Sequence, residues 1–378
     1  MAAAEQLRRP RKAGIVSTTG DDRCQDRAGL EQVRAEALEV LGRLLRGQRT
    51  VALLDFPNHQ NVGDSMIWLG EEQYLSDLNM NIAYIADAQR YSPELLNKRV
   101  PTGPILLHGG GNFGDLWPEF QDFRERVIED FPGREIIQLP QSIQFGDARA
   151  AARANAVFGG HGMFNLLVRD QESYERAQRL LPDVAVQFCH DSALGWRPLP
   201  GKPMKNKTRM LVLARQDHEK ALGIAELAHP FLQADDVVVD WGLFGSSAVS
   251  WRVARIPLGL ARIFPSLGRS SLYYPVVRSA YKKLARLNGQ AGIRLFRAAS
   301  GVATDRLHAH VLAVLLGLPH VIADNSYGKI GGVLRATTSK IGDHRLVSDQ
   351  EEAEAAFAWL LKRISTGSAE TASTGGSS

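Results

Sequence analysis

Cysteine is scarce in this sequence, since only Cys24 and Cys189 occur among its 378 residues and they lie far apart. Two thiols at this spacing form neither a disulfide framework nor a zinc-binding pattern, so we expect free cysteines in a reducing compartment. The motifs H-E-x-x-H, C-x-x-C and G-x-S-x-G are also missing. His308 and His310, two positions apart on a predicted helix, point in different directions and should not chelate one ion. No metal site is therefore predicted.

Long apolar runs are missing as well. The apolar stretch 311–323 is interrupted by Gly317, Pro319 and His320 and is too short to span a bilayer. The first residues, MAAAEQLRRPRKAG, carry charges with no apolar segment behind them, which is not the pattern of a secretory signal. We therefore expect a cytoplasmic protein.

Acidic residues are absent between Asp240 and Asp305. Basic side chains in this stretch are Arg252, Arg255, Arg262, Arg269, Arg278, Lys282, Lys283, Arg286, Arg294 and Arg297. This composition favours an anionic membrane surface or a diphosphate group, and hence a peripheral position at the inner face of a membrane. A solvated helical face in an insertion explains it equally well. No nucleic-acid recognition motif accompanies the charge, so no nucleic-acid partner is predicted.

The remaining sequence alternates between short apolar segments and amphipathic ones. Predicted strands cover 50–55, 82–85, 104–108, 135–139, 154–158 and 166–169, then 208–214, 237–240, 301–303 and 319–322. Strands without polar alternation, separated by helices, are typical of parallel sheets that are covered on both faces. The predicted fold class is α/β, with two doubly wound Rossmann-like lobes and a central cleft.

The length of the chain suits two domains, and composition suggests where they divide. We predict a disordered arm (1–28), an N-terminal lobe (29–195), a Pro- and Lys-rich linker (196–207), a C-terminal lobe (208–345) with a basic insertion (245–300), a C-terminal helix (346–365) and a disordered tail (366–378).

Ligands of doubly wound sheets bind beyond the carboxyl ends of the strands, so we expect the functional residues in the loops that follow the strands. The first loop, PNHQNVGDS at 57–65, leads from a strand into a helix whose amino end attracts anions. A capped turn explains Asp64 and Ser65 as well as catalysis does. His59 and Asn61 are harder to explain by turn chemistry, and we expect them to bind substrate.

The second loop, HGGGNFGD at 108–115, contains G-x-G-x-x-G. The following strand ends LPQS without the acidic residue that would hold a ribose, so no dinucleotide cofactor is predicted. Gly110, Gly111 and Asn112 are instead expected to let backbone N–H groups approach a ligand. Pro140 should end the strand, after which Gln141 and Ser142 bind a polyol or form an ordinary polar loop.

Two further loops carry cations. Arg215 emerges from a buried strand and needs an anionic partner, which is Asp217, Glu219 or the substrate. The second loop is TDRLHAH at 304–310, directly before an apolar helix. Asp305 is placed to cap that helix, while Arg306 and His308 lie in its first turn, where cations are unfavourable unless an anion is bound among them.

Taken in chain order, these segments resemble motifs of the polysaccharide pyruvyl transferase family. They are Asn61-Val62-Gly63-Asp64, His108-Gly109-Gly110-Gly111-Asn112, Gln138-Leu139-Pro140-Gln141-Ser142, Ala214-Arg215, Thr304-Asp305-Arg306-Leu307-His308-Ala309-His310 and Asp324-Asn325-Ser326-Tyr327-Gly328-Lys329. The resemblance covers residues 50–345 and implies a fold like that of the two-lobed glycosyltransferase B enzymes. It also implies phosphoenolpyruvate as co-substrate, no separate cofactor, and a cyclic pyruvate ketal on a sugar as product.

The resemblance assigns roles to individual residues. Arg215, Arg306 and His308 correspond to residues that hold or activate the donor, and Lys329 closes the late motif. A carboxylate and a phosphate on one donor suit two arginines and a helix amino end. His308 is our candidate for the acid that protonates the donor, because histidine supplies a proton near neutral pH. Asp64 or His59 should orient or deprotonate the acceptor hydroxyl.

The expected partners are phosphoenolpyruvate and a sugar or lipid-linked oligosaccharide, a precursor of an exopolysaccharide or cell-envelope glycan. The alternative is a nucleotide-sugar-dependent glycosyltransferase of the same fold, which explains the cleft but not the Arg-x-His pair. A non-enzymatic polymer-binding scaffold is the third reading.

Overall fold

Two parallel β-sheets organise the protein in the computed structural model, which describes residues 20–199, 207–215, 223–324 and 329–374. The first, seven-stranded sheet contains β1 (Thr50–Leu54), β2 (Asn81–Ala86), β3 (Ile105–Leu107), β4 (Gly110–Gly114), β5 (Ile136–Gln144), β6 (Phe164–Val168) and β7 (Ala185–Phe188). Its order is β2-β1-β3-β5-β6-β7, and β4 pairs with β5. The second, five-stranded sheet contains β8 (Thr208–Leu213), β9 (Val237–Val239), β10 (Ala299–Thr304), β11 (His320–Ala323) and β12 (His344–Val347), in the order β12-β11-β10-β8-β9.

Helices cover these sheets and lie between them. They are α1 (Gly20–Leu44), α2 (Val62–Asp77), α3 (Pro93–Arg99), α4 (Pro118–Asp130), α5 (Ala148–Gly160), α6 (Gln171–Leu180), α7 (Ile224–Ala228), α8 (Gly245–Ala254), α9 (Ile256–Ile263), α10 (Pro265–Gly268), α11 (Tyr274–Arg297), α12 (Leu307–Leu316), α13 (Lys329–Val333) and α14 (Gln350–Thr374). A π-helical turn, Leu334–Thr338, follows α13. None of the described helices combines the length and the apolar character needed to cross a bilayer.

The parallel α/β class predicted from the sequence is confirmed. Residues 51–54 of β1 are all buried, as are residues 136–143 of β5, because side chains from both faces of the sheet meet packed helices. Every strand pairing in the two sheets is parallel.

The prediction that Pro140 ends its strand is wrong, because β5 continues to Gln144. The pairing of β5 with β6 shifts register between Gln138 and Gln141, so the proline occupies an irregular position in the ladder. A missing N–H is tolerated at such a position. The longer strand also pairs with β4, which the sequence analysis had interpreted as a loop.

The strand predicted at 154–158 is also wrong, since these residues belong to α5. Asp147 caps the helix, because its side chain accepts a hydrogen bond from the Arg149 N–H at 3.0 Å. Ala151, Ala154 and Phe158 form its buried face. A five-residue apolar segment does not distinguish a strand from part of a helix, and the helical spacing of these three residues becomes visible only over a longer segment.

The predicted disordered segments 1–28 and 366–378 overlap helices. Helix α1 begins at Gly20, and Asp26 accepts a hydrogen bond from the Gly342 N–H at 2.8 Å. This contact comes from a distant part of the chain, so no local pattern could indicate it. Helix α14 likewise continues to Thr374. Residues 1–19 and 375–378, and residues 200–206 of the predicted linker, lie outside the described part of the chain.

One hydrophobic core joins α2 and α12 to the second sheet. Helix α2 contributes Val62 and Met66, α12 contributes Leu312, and the second sheet contributes Leu213 and Val302. Because these side chains pack together, helices α2 and α12 are held side by side between the sheets.

Three histidines form a buried cluster at the amino edge of the second sheet, where His320 pairs with His344. The His320 Nδ1 donates to the Leu318 carbonyl at 2.8 Å, so its Nε2 accepts from the His310 Nδ1, also at 2.8 Å. The His310 Nε2 in turn accepts from the Thr338 hydroxyl at 2.7 Å. Burial lowers the pKa of all three histidines, that of His320 to about 3.

The cluster predicts acid sensitivity. Histidines of the unfolded chain become protonated below about pH 6.5, whereas burial disfavours protonation of these three rings in the folded protein. Their contribution to the free energy of unfolding is therefore fully present above about pH 6.5 and is lost as the pH falls. We expect the free energy of unfolding to decrease by up to about 1.4 kcal/mol per pH unit for each histidine. Urea unfolding of wild type and His320→Gln between pH 7 and pH 5 should show a smaller pH slope in the variant. The exposed His229, replaced by Gln, is the matched control. An equal loss of slope in both variants would contradict this assignment.

Candidate functional site

The amino ends of α2 and α12 meet at the carboxyl edges of the two sheets. Gly63, in the first turn of α2, lies against His308 in the first turn of α12. A Cβ atom added at Gly63 would lie 2.7 Å from the His308 Nδ1 and 2.9 Å from its Cβ. Only glycine therefore allows this approach. Two positive helix ends consequently face one region, which favours an anionic ligand.

Asn61, rather than Asp64 or Ser65, caps α2, and its Oδ1 accepts from the Gly63 N–H at 2.8 Å. The sequence had suggested Asp64 or Ser65 as the cap, but α2 begins at Val62, so both residues lie inside the helix. Asp64 is left for another contact, and its Oδ2 lies 3.5 Å from Nε2 of the exposed His59. The predicted residues His59, Asn61 and Asp64 are thus brought together around the start of α2, where Gly63 contacts His308.

His308 is backed by a buried carboxylate. Its Nε2 lies 3.5 Å from the Asp191 Oδ2, which also accepts from the Arg169 Nη1 at 2.7 Å. Burial by itself would raise the pKa of Asp191, but Arg169 and His308 more than offset it and hold that pKa well below its usual range. Asp191 is therefore an anion that can orient the imidazole and stabilise its protonated form.

The buried network extends further into the first sheet. The Arg169 Nε donates to the Ser142 hydroxyl at 3.0 Å, and that hydroxyl donates to Asp170 at 2.7 Å. Asp170 also caps α6 by accepting from the Ser173 N–H. Ser142, expected to bind substrate, is thus engaged in positioning Arg169 and Asp191.

The predicted cations of the second sheet lie beside acidic partners. Arg306 donates from Nε and Nη2 to both carboxylate oxygens of Asp240, at 2.5 Å and 2.6 Å. Asp305 does not cap α12 as predicted, because Arg306 is the N-cap residue and Asp305 accepts from the Arg215 backbone N–H at 2.8 Å. The loop after β8 is thereby tied to the loop after β10, with Arg215 and Arg306 flanking the helix end. Asp217 and Glu219 lie outside the described residues.

Two side chains that were predicted to bind substrate, those of Asn112 and Gln141, instead hold the glycine-rich segment 108–115 in place by hydrogen bonds. The Gln141 Nε2 donates to the His108 carbonyl and to the Asn112 Oδ1, and its Oε1 accepts from the Asn112 N–H. The buried Arg124 donates to the same Asn112 Oδ1 at 2.6 Å. Gly110, at φ 141°, has no backbone atom near the place of a Cβ. Gly110 is buried and Gly111 partly exposed, while Asn112 and Gln141 hold the shape of the segment.

A buried ion pair lies beneath this segment. Glu71 accepts from the Gly109 N–H at 2.8 Å, and its other carboxylate oxygen lies 2.8 Å from the His108 Nδ1. Burial alone would lower the pKa of His108, but the Glu71 carboxylate outweighs it and raises that pKa. The His108 Nε2 is buried and has no hydrogen-bond partner among the described residues. It is a second candidate proton carrier on the first sheet.

Sequence reasoning missed Glu71, Arg169, Asp191 and Asp240. Asp191 follows β7, a strand that the sequence pattern did not predict. With β7 predicted, Asp191 would have been a candidate, because it lies in the loop after a strand. Asp240 was noticed only as the boundary of the acid-free stretch. Glu71 lies inside a helix, where no local signal distinguishes it from a solvated residue.

Two further features concern Lys329 and the buried histidines. The backbone of Lys329 begins α13, whose first N–H groups bond to Asp324, but its side chain lies outside the described part of the chain. Among the described residues, His310, His320 and His344 alone have nitrogens close enough to share an ion. Those of His310 and His320 already bond to one another, to Thr338 and to Leu318.

A cavity of about 900 Å³ lies at the amino end of β2, between α2 and α11, away from the carboxyl ends of the strands. Its lining includes Glu72 of α2 and the basic side chains Arg278, Lys282 and Arg286 of α11, which are spaced at intervals of four residues. The geometry described above, with paired helix ends and a buried Asp–His contact, has more of the features of a catalytic centre than this basic cavity.

Comparisons with known proteins point to one family. The sequence profile described as polysaccharide pyruvyl transferase matches residues 61–327, which include both facing helix ends. Pyruvyl transferase 1 of Schizosaccharomyces pombe is 32% identical over 301 residues, covering 75% of this chain and 68% of that protein. EpsO of Bacillus subtilis is 27% identical over 330 residues, covering 86% of this chain and 95% of that protein.

A solved structure supports the fold alone. It is an uncharacterised protein from Klebsiella pneumoniae, 17% identical, with a TM-score of 0.51 and coverage of 84% of this chain and 99% of that one. The profile match extends over more than half of the sequence, and the S. pombe relative is aligned over most of its length. The chain belongs to the polysaccharide pyruvyl transferase family.

Proposed function

We propose that the protein transfers pyruvate from phosphoenolpyruvate to two hydroxyl groups of a sugar, forming a cyclic ketal and releasing phosphate. The sugar belongs to a precursor of an exopolysaccharide or cell-envelope glycan. The observation that carries the proposal is the meeting of two helix amino ends at Gly63 and His308, with Asp191 behind the imidazole. Family membership supplies the pyruvyl group as the transferred unit.

The donor fits the second-sheet side of the cleft by its charge. Phosphoenolpyruvate carries a carboxylate and a phosphate, which suit the end of α12 and the guanidinium groups of Arg215 and Arg306. The bidentate contact of Arg306 with Asp240 fixes the plane of its guanidinium group before any ligand binds. Charge stabilisation at the departing phosphate is the role expected of these groups.

Ketal formation requires a proton at the methylene carbon of the donor. His308 delivers that proton, the methylene becomes a methyl group, and positive charge develops at the neighbouring carbon. One sugar hydroxyl attacks this carbon and loses its proton; a second displaces phosphate as the carbon–oxygen bond to phosphate breaks. Asp191 orients the imidazole of His308 for this proton transfer.

The acceptor is proposed to lie on the first-sheet side. The His59–Asp64 contact is partly exposed and lies one turn from Gly63, so a sugar hydroxyl near His308 would also be near this pair. The partly exposed Gly111 is proposed to let the backbone approach a sugar ring. Two lobes that each bind one substrate are the arrangement of glycosyltransferase B enzymes, and we propose that architecture for this protein.

A ligand-induced thermal shift tests the donor. Phosphoenolpyruvate at about 100 times its dissociation constant should stabilise the protein by roughly 2.7 kcal/mol. We expect no such shift for Arg215→Ala, because the carboxylate or phosphate loses a cation, and a wild-type shift for Arg149→Ala, an exposed arginine on α5. A shift with a nucleotide sugar and none with phosphoenolpyruvate would favour the glycosyltransferase alternative.

Gly63→Ala tests the contact between the two helices. Its Cβ must displace His308, so turnover should fall by about a hundredfold if the ring moves by roughly 1 Å. Gly259→Ala, where a Cβ meets nothing within 4 Å, is the matched control in α9. Full activity of Gly63→Ala would show that the approach of the two helices is not required for catalysis.

His308→Ala separates catalysis from binding. Removing the acid should lower kcat by about 10² to 10⁴-fold and leave the donor KM nearly unchanged. Steady-state kinetics with varied phosphoenolpyruvate measures both constants, with His229→Ala as the control. If KM rises steeply while kcat at saturation is kept, His308 binds the donor and the acid is another residue.

A further inference from the structure

Helices α8 and α9 present a continuous apolar stripe to the outside of the protein. Val249, Val253, Ile256, Leu260 and Ile263 are exposed, with the least accessible, Leu260, at 39% and the most accessible, Ile263, at 65%. Their spacing of four, three, four and three residues keeps them on one helical face. Arg255, between the two helices, has helical dihedral angles, so the face continues from α8 into α9.

The opposite face of the same helices already supplies the contacts that the fold needs. Trp251, Ala254, Leu258 and Ala261 are buried in the core that includes β1, α2 and α11. The Leu258 carbonyl also accepts from the Arg90 Nε at 2.6 Å. The outward stripe is therefore a second apolar face, which remains exposed among the described residues.

Exposed apolar side chains are concentrated in this part of the molecule. Nine of the twelve large ones among the described residues fall within residues 244–276. Besides the stripe, they are Phe244, Phe264, Leu272 and Val276. A contiguous apolar surface of this kind on a folded protein marks a contact with a partner or a membrane.

The charges around the stripe have one sign. Arg252, Arg262 and Arg269 are exposed in the same segment, and no aspartate or glutamate occurs between Asp240 and Asp305. A second copy of this chain would place cations against cations across a symmetric contact, which is unfavourable. An anionic bilayer accepts both the apolar stripe and the arginines.

We propose that residues 244–276 form a docking surface for an anionic lipid bilayer, into whose interface the stripe of α8 and α9 inserts. The docking segment is connected at both ends to residues of the site: it follows Asp240, which holds Arg306, and it leads into α11, whose Asn288 donates to the His59 carbonyl. Docking would hold the cleft near a lipid-carried ligand. The docking surface does not depend on the proposed reaction.

Co-sedimentation with vesicles tests the surface. The full chain should bind vesicles of equal parts phosphatidylcholine and phosphatidylglycerol at low salt, and bind phosphatidylcholine alone more weakly. Val253→Glu with Ile263→Glu, and separately Arg252→Gln with Arg262→Gln, should each weaken binding by about tenfold or more. Met163→Glu, which changes an exposed apolar residue outside the segment, should bind as wild type.

Each alternative outcome has a definite meaning. The substituted side chains are exposed, so unchanged circular dichroism and melting temperature should verify that the variants fold. Absence of wild-type binding to anionic vesicles at low salt overturns the proposal, as does equal weakening by Met163→Glu. A dimer in light scattering that Val253→Glu with Ile263→Glu dissociates, without vesicle binding, would assign the surface to a second copy instead.

Discussion

The approach of α2 to α12 is the constraint on which the active region depends. Gly63 permits it, because any side chain at that position would occupy the place of the His308 ring. The core beneath the contact, with Val62 and Met66 on one side and Leu312 on the other, packs the two helices against each other. Two helix amino ends thereby act on the same volume, and a doubly charged anion is the ligand that gains most from them.

A buried polar network supports this contact from the first sheet. Asp170, Ser142, Arg169 and Asp191 are joined by hydrogen bonds and end at His308. Buried ion pairs contribute little to stability, since desolvation offsets the attraction. Their value here is positional, because a carboxylate held by Arg169 cannot rotate away from the imidazole. The network also explains why Ser142 is polar although it is buried.

The insertion between β9 and β10 differs from the rest of the fold in having two apolar faces. One face packs on the first sheet and so ties the two halves of the chain together through α11, where Asn288 donates to Ser65 and to the His59 carbonyl. The other face, formed by the α8 and α9 stripe, lacks a partner within the described residues. Packing and outward contact are therefore separate functions of the same helices.

The sequence by itself determined the parallel α/β class, most strand positions and the family, because buried parallel strands are continuous apolar runs and the motifs are local. It also located His308, Arg215 and Asp64 at strand ends. It could not assign Pro140 to the interior of β5 or residues 20–28 to α1, since both depend on pairing with distant segments. Only the tertiary structure decided which carboxylate meets which cation. Asp191 is 117 positions from His308, and Asp240 is 66 positions from Arg306. No local sequence pattern relates residues that are so far apart along the chain.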